Sequence, residues 1–138
     1  MAPVKRSQRA QAIVEAAVIF PALLALAIGA VGVGLVARTD GAVAAVALEA
    51  ARAASEASTP AQAVTDGQAR GYAVARGYGL GKSLQVSVDT RSFGRGGEVS
   101  AEVDYTLSLD QAFILGWAKV PFRITRVEPI EPYRSFRQ

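Results

Sequence analysis

A single carboxylate at the start of a long apolar run is the most informative chemical group in this sequence. Glu15 stands in the string Gln-Ala-Ile-Val-Glu-Ala-Ala-Val-Ile-Phe-Pro (residues 11–21), and the next charged residue is Arg38. An ionised acid well inside a bilayer costs about 2.5–3.5 kcal/mol, so such acids are usually satisfied by a partner. The spacing points to a newly made N-terminal amine on Gln11, its own or a neighbour's, as that partner. The alternative is an acid solvated among lipid headgroups.

Two other groups of polar residues suggest chemistry but have simpler explanations. Gly-Lys-Ser at residues 81–83 resembles the end of a phosphate-binding loop, but Arg76 stands where that motif requires its first glycine. The loop is also expected to leave a helix and enter a strand, which is the reverse of the required order. Glu102 and Asp104 share one face of a predicted strand and can in principle bind calcium or perform acid–base chemistry. We favour the solvated face of an amphipathic strand for them.

The composition excludes several classes of function. The 138 residues contain no cysteine and no histidine, which excludes disulfides, thiolate zinc sites, cysteine nucleophiles and histidine general bases. The net charge of +3 is carried by Lys5, Arg6 and Arg9, because the remainder holds 12 basic residues (15 minus 3) and 12 acidic ones. The charge therefore gives no argument for nucleic-acid binding. We expect neither an enzyme nor a cofactor or metal site.

The apolar run has the length of a membrane span. About 20 helical residues cross a hydrocarbon core of roughly 30 Å, whereas the apolar part of a secretory signal peptide has only about 7–15. We predict a basic leader at residues 1–10, a transmembrane helix at 11–38 and an extracytoplasmic domain at 39–138. Pro21 is expected to bend the span within its first turns. Because basic residues beside a span stay on the cytoplasmic side, the leader cations place the N-terminus in the cytoplasm.

The sequence after the span predicts an α+β domain. Alanine-rich sequence continues the first helix to about Ser55, with Val43, Val46 and Ala50 on one face and Glu49, Arg52 and Glu56 on another. A second helix, to about residue 76, starts with a cap, a proline and a glutamine: Thr59, Pro60 and Gln62.

Strands follow from about residue 83, where apolar and polar residues alternate. Two alternating runs flank the glycine-rich residues 94–97 and predict a hairpin, and a third strand is expected at Val120, Phe122 and Ile124. The fold class is therefore α+β, with two helices covering one face of an antiparallel sheet of about three strands. Phe113, Ile114, Leu115 and Trp117 are predicted to be core residues or, if exposed, a partner surface.

The N-terminal part of the sequence resembles a known family. Residues 9–24, Arg-Ala-Gln-Ala-Ile-Val-Glu-Ala-Ala-Val-Ile-Phe-Pro-Ala-Leu-Leu, are similar to the start of TadE-like proteins. These are pseudopilins (minor pilins) of the tight-adherence branch of type IV pili. The shared pattern is a small residue, Val-Glu, an apolar stretch, and a proline followed by leucines. Residue 10 is alanine where the family usually has glycine, and Ala16 replaces the usual aromatic residue after the glutamate.

The resemblance implies a pilin-like fold and a role in pilus assembly. A prepilin peptidase of the inner membrane would remove the leader between Ala10 and Gln11. The mature helix, with Glu15 and Pro21 as assembly residues, would then dock among other pilin and pseudopilin subunits at the inner-membrane assembly platform, or in a surface pilus. The residues leave an alternative open, an uncleaved, signal-anchored, single-pass scaffold protein of another envelope complex.

Overall fold

The computed structural model describes residues 4–109 and 118–132, with side chains from Gln11 onward. Two helices precede three strands: α1 Val4–Ser55, α2 Pro60–Gly77, β1 Gln85–Asp89, β2 Glu98–Ser108 and β3 Lys119–Pro129. The predicted α+β class with a three-stranded antiparallel sheet is confirmed. The predicted aromatic segment around Trp117 lies outside the described residues, as do the side chains of Lys5, Arg6 and Arg9. The chain divides into two compact units, Met1–Leu35 and Val36–Gln138.

Helix α1 begins earlier than the sequence analysis predicted. It starts at Val4 rather than near Ala10, and it ends at Ser55 as expected. The early start has a local reason, because the residues between Pro3 and Ala10 are mostly good helix formers and contain no glycine or proline. Pro21 lies inside α1, and the helix continues past it for many turns.

The core of the second unit is built from small side chains. The C-terminal part of α1 buries one alanine- and valine-rich face, made of Val43, Val46, Ala47, Ala50, Ala51 and Ala54. The predicted apolar face of this helix is therefore confirmed. It packs against inward-facing residues of the first two strands, Val86, Ala101 and Val103. A second group of buried residues, around Val99 and Ile130, extends the core beyond the end of α1.

Helix α2 starts with the predicted capping signal. The Gln62 backbone N–H donates to the Thr59 hydroxyl oxygen at 3.2 Å, and Pro60 is the first helical residue. The return bond differs from a standard capping box by one position, because the Gln62 side-chain oxygen accepts from the Ser58 N–H at 3.3 Å. The two bonds satisfy backbone donors at a helix end that has no partners within the helix.

Helix α2 packs through a stripe of small residues that sequence reasoning missed. Its buried residues recur at every fourth position: Ala63, Gly67, Gly71 and Ala75. A Cβ atom on Gly67 would lie 2.9 Å from Val88 Cγ2 and 3.0 Å from the Ala50 carbonyl oxygen. The missing side chain therefore lets α2 lie directly against both α1 and β1.

An ion pair joins the two helices at their exposed edge. Arg70 of α2 donates to the Glu49 carboxylate of α1 through Nη2 at 2.7 Å and Nε at 3.0 Å. Arg52, which shares the predicted polar face of α1, lies 3.5 Å from Glu49. The hydrogen bond from Arg70 holds the pKa of Glu49 below its usual value. Because these side chains are largely solvated, the pairing contributes no more than about 1 kcal/mol.

The sheet is an antiparallel meander with the strand order β1-β2-β3. Val86 pairs with Val103, and Val103 pairs with Ile124, so one inward row crosses all three strands. The predicted hairpin between β1 and β2 is confirmed, and its loop depends on Gly97. A Cβ atom there would lie 2.0 Å from the Ser92 carbonyl oxygen, so only glycine fits.

Strand β3 is longer than the sequence pattern predicted. It pairs with β2 from Lys119 to Pro129, five residues beyond Ile124. The alternation of apolar and polar residues stops after Ile124 in the sequence. Arg126 and Glu128 stand in the row begun by the apolar residues Phe122 and Ile124, so the pattern did not predict this part of the strand. Arg126 is exposed and Glu128 is half-buried, so this end of the row tolerates charge.

The close approach at Gly67 predicts an unusual response to alanine. Overpacking costs about 1–3 kcal/mol, which exceeds the roughly 1 kcal/mol that alanine gains over glycine inside a helix. We expect Gly67→Ala to lower the thermal unfolding midpoint of the full chain in detergent, followed by circular dichroism. Gly41→Ala is the matched control, because a Cβ atom on Gly41 of α1 meets nothing within 4 Å. Equal midpoints for the two variants would contradict the packing described here.

Candidate functional site

The first unit presents a helical surface that is apolar on every side. Ten of its large side chains are between 49% and 71% exposed: Ile13, Val14, Val18, Ile19, Phe20, Leu23, Leu24, Leu26, Val31 and Val33. Among the described residues, one helix is long and apolar enough to cross a membrane, and its apolar part lies near the N-terminus. The most apolar 18-residue window of that helix has a mean hydropathy of 2.5 and is 6% buried. A helix that is hydrophobic all round belongs in a protein core or in lipid.

Glu15 is an exposed residue on this apolar helix. Within the part of the chain that the structure describes, no hydrogen bond or ion pair engages its carboxylate. Gln11 precedes it by four residues in the same helix, so the two lie one above the other on one face, about 6 Å apart along the axis. An amine at the start of a chain beginning with Gln11 would therefore lie within one turn of the carboxylate.

The other sequence-predicted residues of this segment share the same helix. Ala10 and Gln11, the predicted processing residues, lie in continuous α-helix, and so does Pro21. The predicted topology residues Lys5, Arg6 and Arg9 belong to the first turns of α1. Apart from Gln11 and Glu15, the helix spreads these residues along its length and does not gather them into one site.

The paired acids of β2 are held by a cross-strand arginine. Arg123 Nε lies 2.6 Å from Asp104 Oδ1 and 3.8 Å from Glu102 Oε1. The Thr125 hydroxyl donates to the other Glu102 oxygen at 3.4 Å. The hydrogen bond with Asp104 raises the pKa of Arg123 above its usual value. These partly exposed side chains form a salt-bridge network on the outer face of the sheet, and no metal-binding cluster occurs within residues 4–109 and 118–132.

The Gly-Lys-Ser loop joins α2 to β1, as the sequence predicted. The Leu80 N–H donates to the Ala75 carbonyl at 3.0 Å, and the Ser83 hydroxyl donates to the Thr106 carbonyl at 3.2 Å. An open groove of about 470 Å³ lies beside this loop, lined by Tyr72, Ala75, Arg76, Leu80, Gly81, Lys82 and Leu84. A helix precedes the loop and a strand follows it, which is the reverse of a phosphate-binding loop.

An exposed apolar helix followed by a small α+β unit is the architecture expected of a pilin-type protein with a membrane anchor. A comparison with protein-family models found a match for the N-terminal part of the chain. Residues 10–52 match the family model of TadE-like proteins, which is slightly less than one third of the 138 residues. The resemblance drawn from the N-terminal sequence is thereby confirmed, and it indicates a component associated with Tad pili. Searches of curated protein sequences and of solved structures found no significant match to the chain.

Proposed function

We propose that this protein is a minor pilin, or pseudopilin, of a tight-adherence type IV pilus. The match of residues 10–52 to the TadE-like family carries the proposal. Residues 11–38 anchor the chain in the inner membrane, with the N-terminus in the cytoplasm and the C-terminal domain outside. Its partners are other pilin and pseudopilin subunits, the prepilin peptidase and the inner-membrane assembly platform.

The exposed apolar surface of α1 supports the anchoring step energetically. Full burial of one large apolar side chain contributes about 1.5–3 kcal/mol, and ten such side chains are about half exposed or more on the first unit. Their transfer out of water therefore contributes on the order of 10 kcal/mol or more. The cost of one acid, about 2.5–3.5 kcal/mol, is smaller. Membrane insertion consequently tolerates Glu15 without depending on it.

During assembly, Glu15 sets the axial register between the apolar helices of neighbouring subunits. In lipid, or among packed helices, its carboxylate requires a positive partner, because an uncompensated buried charge is strongly unfavourable. The amine of Gln11 lies at the right spacing after the leader is cut, either in the same chain or in a neighbour. A neighbouring helix shifted along its axis would lose that pairing, so one axial position is favoured.

The second unit serves as a binding domain in this proposal and performs no chemistry. The carboxylates that carried the best catalytic hypothesis, Glu102 and Asp104, face Arg123 on an exposed strand surface. Such a network suits a solvated face of the domain. The helices and the outer strands then remain as surfaces for other subunits.

The assembly role predicts a specific effect of Glu15→Ala. Membrane insertion should be unchanged, whereas the amount of protein in sheared pili should fall about tenfold or more, because the partner amine is left unpaired. Glu56→Ala is the matched control, since Glu56 is an exposed acid outside the apolar run. The measurement compares membrane and pilus fractions by immunoblot. Normal incorporation of the Glu15→Ala protein would refute the proposed role.

Processing predicts the N-terminus of the mature protein. Intact-mass and N-terminal peptide mass spectrometry of the membrane-extracted chain should show a start at Gln11. The same chain from cells without the prepilin peptidase should keep residues 1–10. A full leader in wild-type cells would instead support the uncleaved single-pass scaffold.

A further inference from the structure

At one end of the second unit lie the first α1 residues of that unit and the edge of the sheet where β1 and β3 begin. Gly67 lies against Ala54 and Gly71 against Ala50, so α2 runs antiparallel to α1. The C-terminal end of α2, at Ala75, shares a core cluster with Val43 and Leu84. Lys119 pairs with Ser108, so β3 begins where β2 ends. We call this the entry end, because α1 enters the second unit there.

Exposed cations mark the entry end. It carries Arg38 from α1, Arg76 from α2, Lys82 from the loop before β1 and Lys119 from β3, with Asp40 as the acid on α1 beside Arg38. Elsewhere in the described part of the unit, Arg70 is paired with Glu49 and Arg123 with Asp104, whereas the exposed Arg95 and Arg126 form no ion pair with the described acids. Within the described residues no acid pairs with Arg76 or Lys82.

Aromatic and aliphatic side chains accompany these cations at the junction of α2 and β1. We define the α2–β1 corner by Tyr72, Arg76, Tyr78, Leu80 and Lys82. Tyr72 is 39% exposed and Tyr78 is 51% exposed. Four of these five residues line the open groove beside the loop, with Ala75 and Leu84 contributing apolar surface. The corner thus combines amphipathic rings, an apolar floor and two cations without acidic partners.

This combination fits the surface of an anionic bilayer. Tyrosine rings favour the level of the lipid headgroups, and basic side chains near a negative membrane surface are each stabilised by about 1 kcal/mol. The opposite end of the unit is mixed in charge, because acids there accompany Arg91 and Arg95 of the loop between β1 and β2. Glu56 and Glu131 line one shallow pocket there, and Glu98 pairs with Pro129 at the same end of the sheet.

We propose that the α2–β1 corner binds the anionic phospholipid headgroups of the membrane that holds the apolar helix. This inference rests on the anchoring in the proposed function, because Arg38 ends the uncharged run and belongs to the entry end. The contact holds the domain on the bilayer before assembly. Incorporation into a pilus then has to break it, so lipid binding competes with subunit binding.

Two single-cysteine variants of the full chain test the contact. The protein has no cysteine, and a Cβ atom on Gly81 or on Gly94 meets nothing within 4 Å. Gly81 lines the groove of the α2–β1 corner, whereas Gly94 lies in the loop at the opposite end of the sheet. A fluorophore on each cysteine reports quenching by nitroxide-headgroup lipids. The proteoliposomes contain phosphatidylcholine alone or equal parts of phosphatidylcholine and phosphatidylglycerol.

The label at residue 81 should be quenched in the phosphatidylglycerol vesicles, and the label at residue 94 should be quenched much less. Arg76→Gln and Lys82→Gln should each lower the equilibrium constant for contact between the corner and the bilayer about fivefold, and together about 25-fold. Raising the salt to about 1 M should weaken the contact as well, because the screening length falls to about 3 Å. Circular dichroism of the variants controls for folding.

Equal quenching at the two positions would overturn the inference. The inference would also be overturned if quenching at residue 81 were the same with and without phosphatidylglycerol and were unchanged by both substitutions. Flotation and carbonate extraction of the same samples separate the two levels of the proposal. A chain that stays in the vesicles with an unquenched residue 81 contradicts lipid binding by the corner alone, whereas a chain that leaves the vesicles contradicts the anchoring itself.

Discussion

The apolar surface of α1 between Gln11 and Ala37 has to leave water, and the other properties of the chain follow from this requirement. Ten of its large side chains are about half exposed or more, so lipid or other apolar helices are the environments that stabilise it. In either environment Glu15 is the exception on this helix. A carboxylate that water cannot reach needs a positive partner. In the proposed function, this need allows the anchoring helix to recognise the helix beside it.

The second unit is stabilised without disulfides and without a large aromatic core. Its helices approach each other and the sheet through alanine and glycine, so that a Cβ atom on Gly67 would crowd the Ala50 carbonyl and Val88. Dispersion contacts in such an interface are numerous although each side chain is small. Helix α1 serves both units, because its apolar surface is complete before Arg38 and restricted to one face after it.

Local rules predicted much of this structure, and tertiary geometry explains what they missed. Thr59 and Pro60 fixed the start of α2 because capping depends on neighbouring residues alone. The stripe through Gly67 and Gly71 was visible in the sequence as a four-residue repeat. Its role as a packing surface, however, depends on α1 and β1, which the sequence does not place opposite it. The end of β3 was missed because Arg126 occupies an inward row at an uncovered edge. Glu15 was found from sequence, whereas its pairing and the leader's removal stay predictions.

Anchoring by α1 is tested most directly by combining carbonate extraction with labelling from outside the cell membrane. The full-length Gly94→Cys protein is expressed in its host, and spheroplasts are treated with a membrane-impermeant maleimide before extraction. Anchoring predicts that the protein stays in the carbonate-resistant pellet and is labelled in intact spheroplasts. Release into the soluble fraction, or labelling only after the membrane is permeabilised, would contradict it.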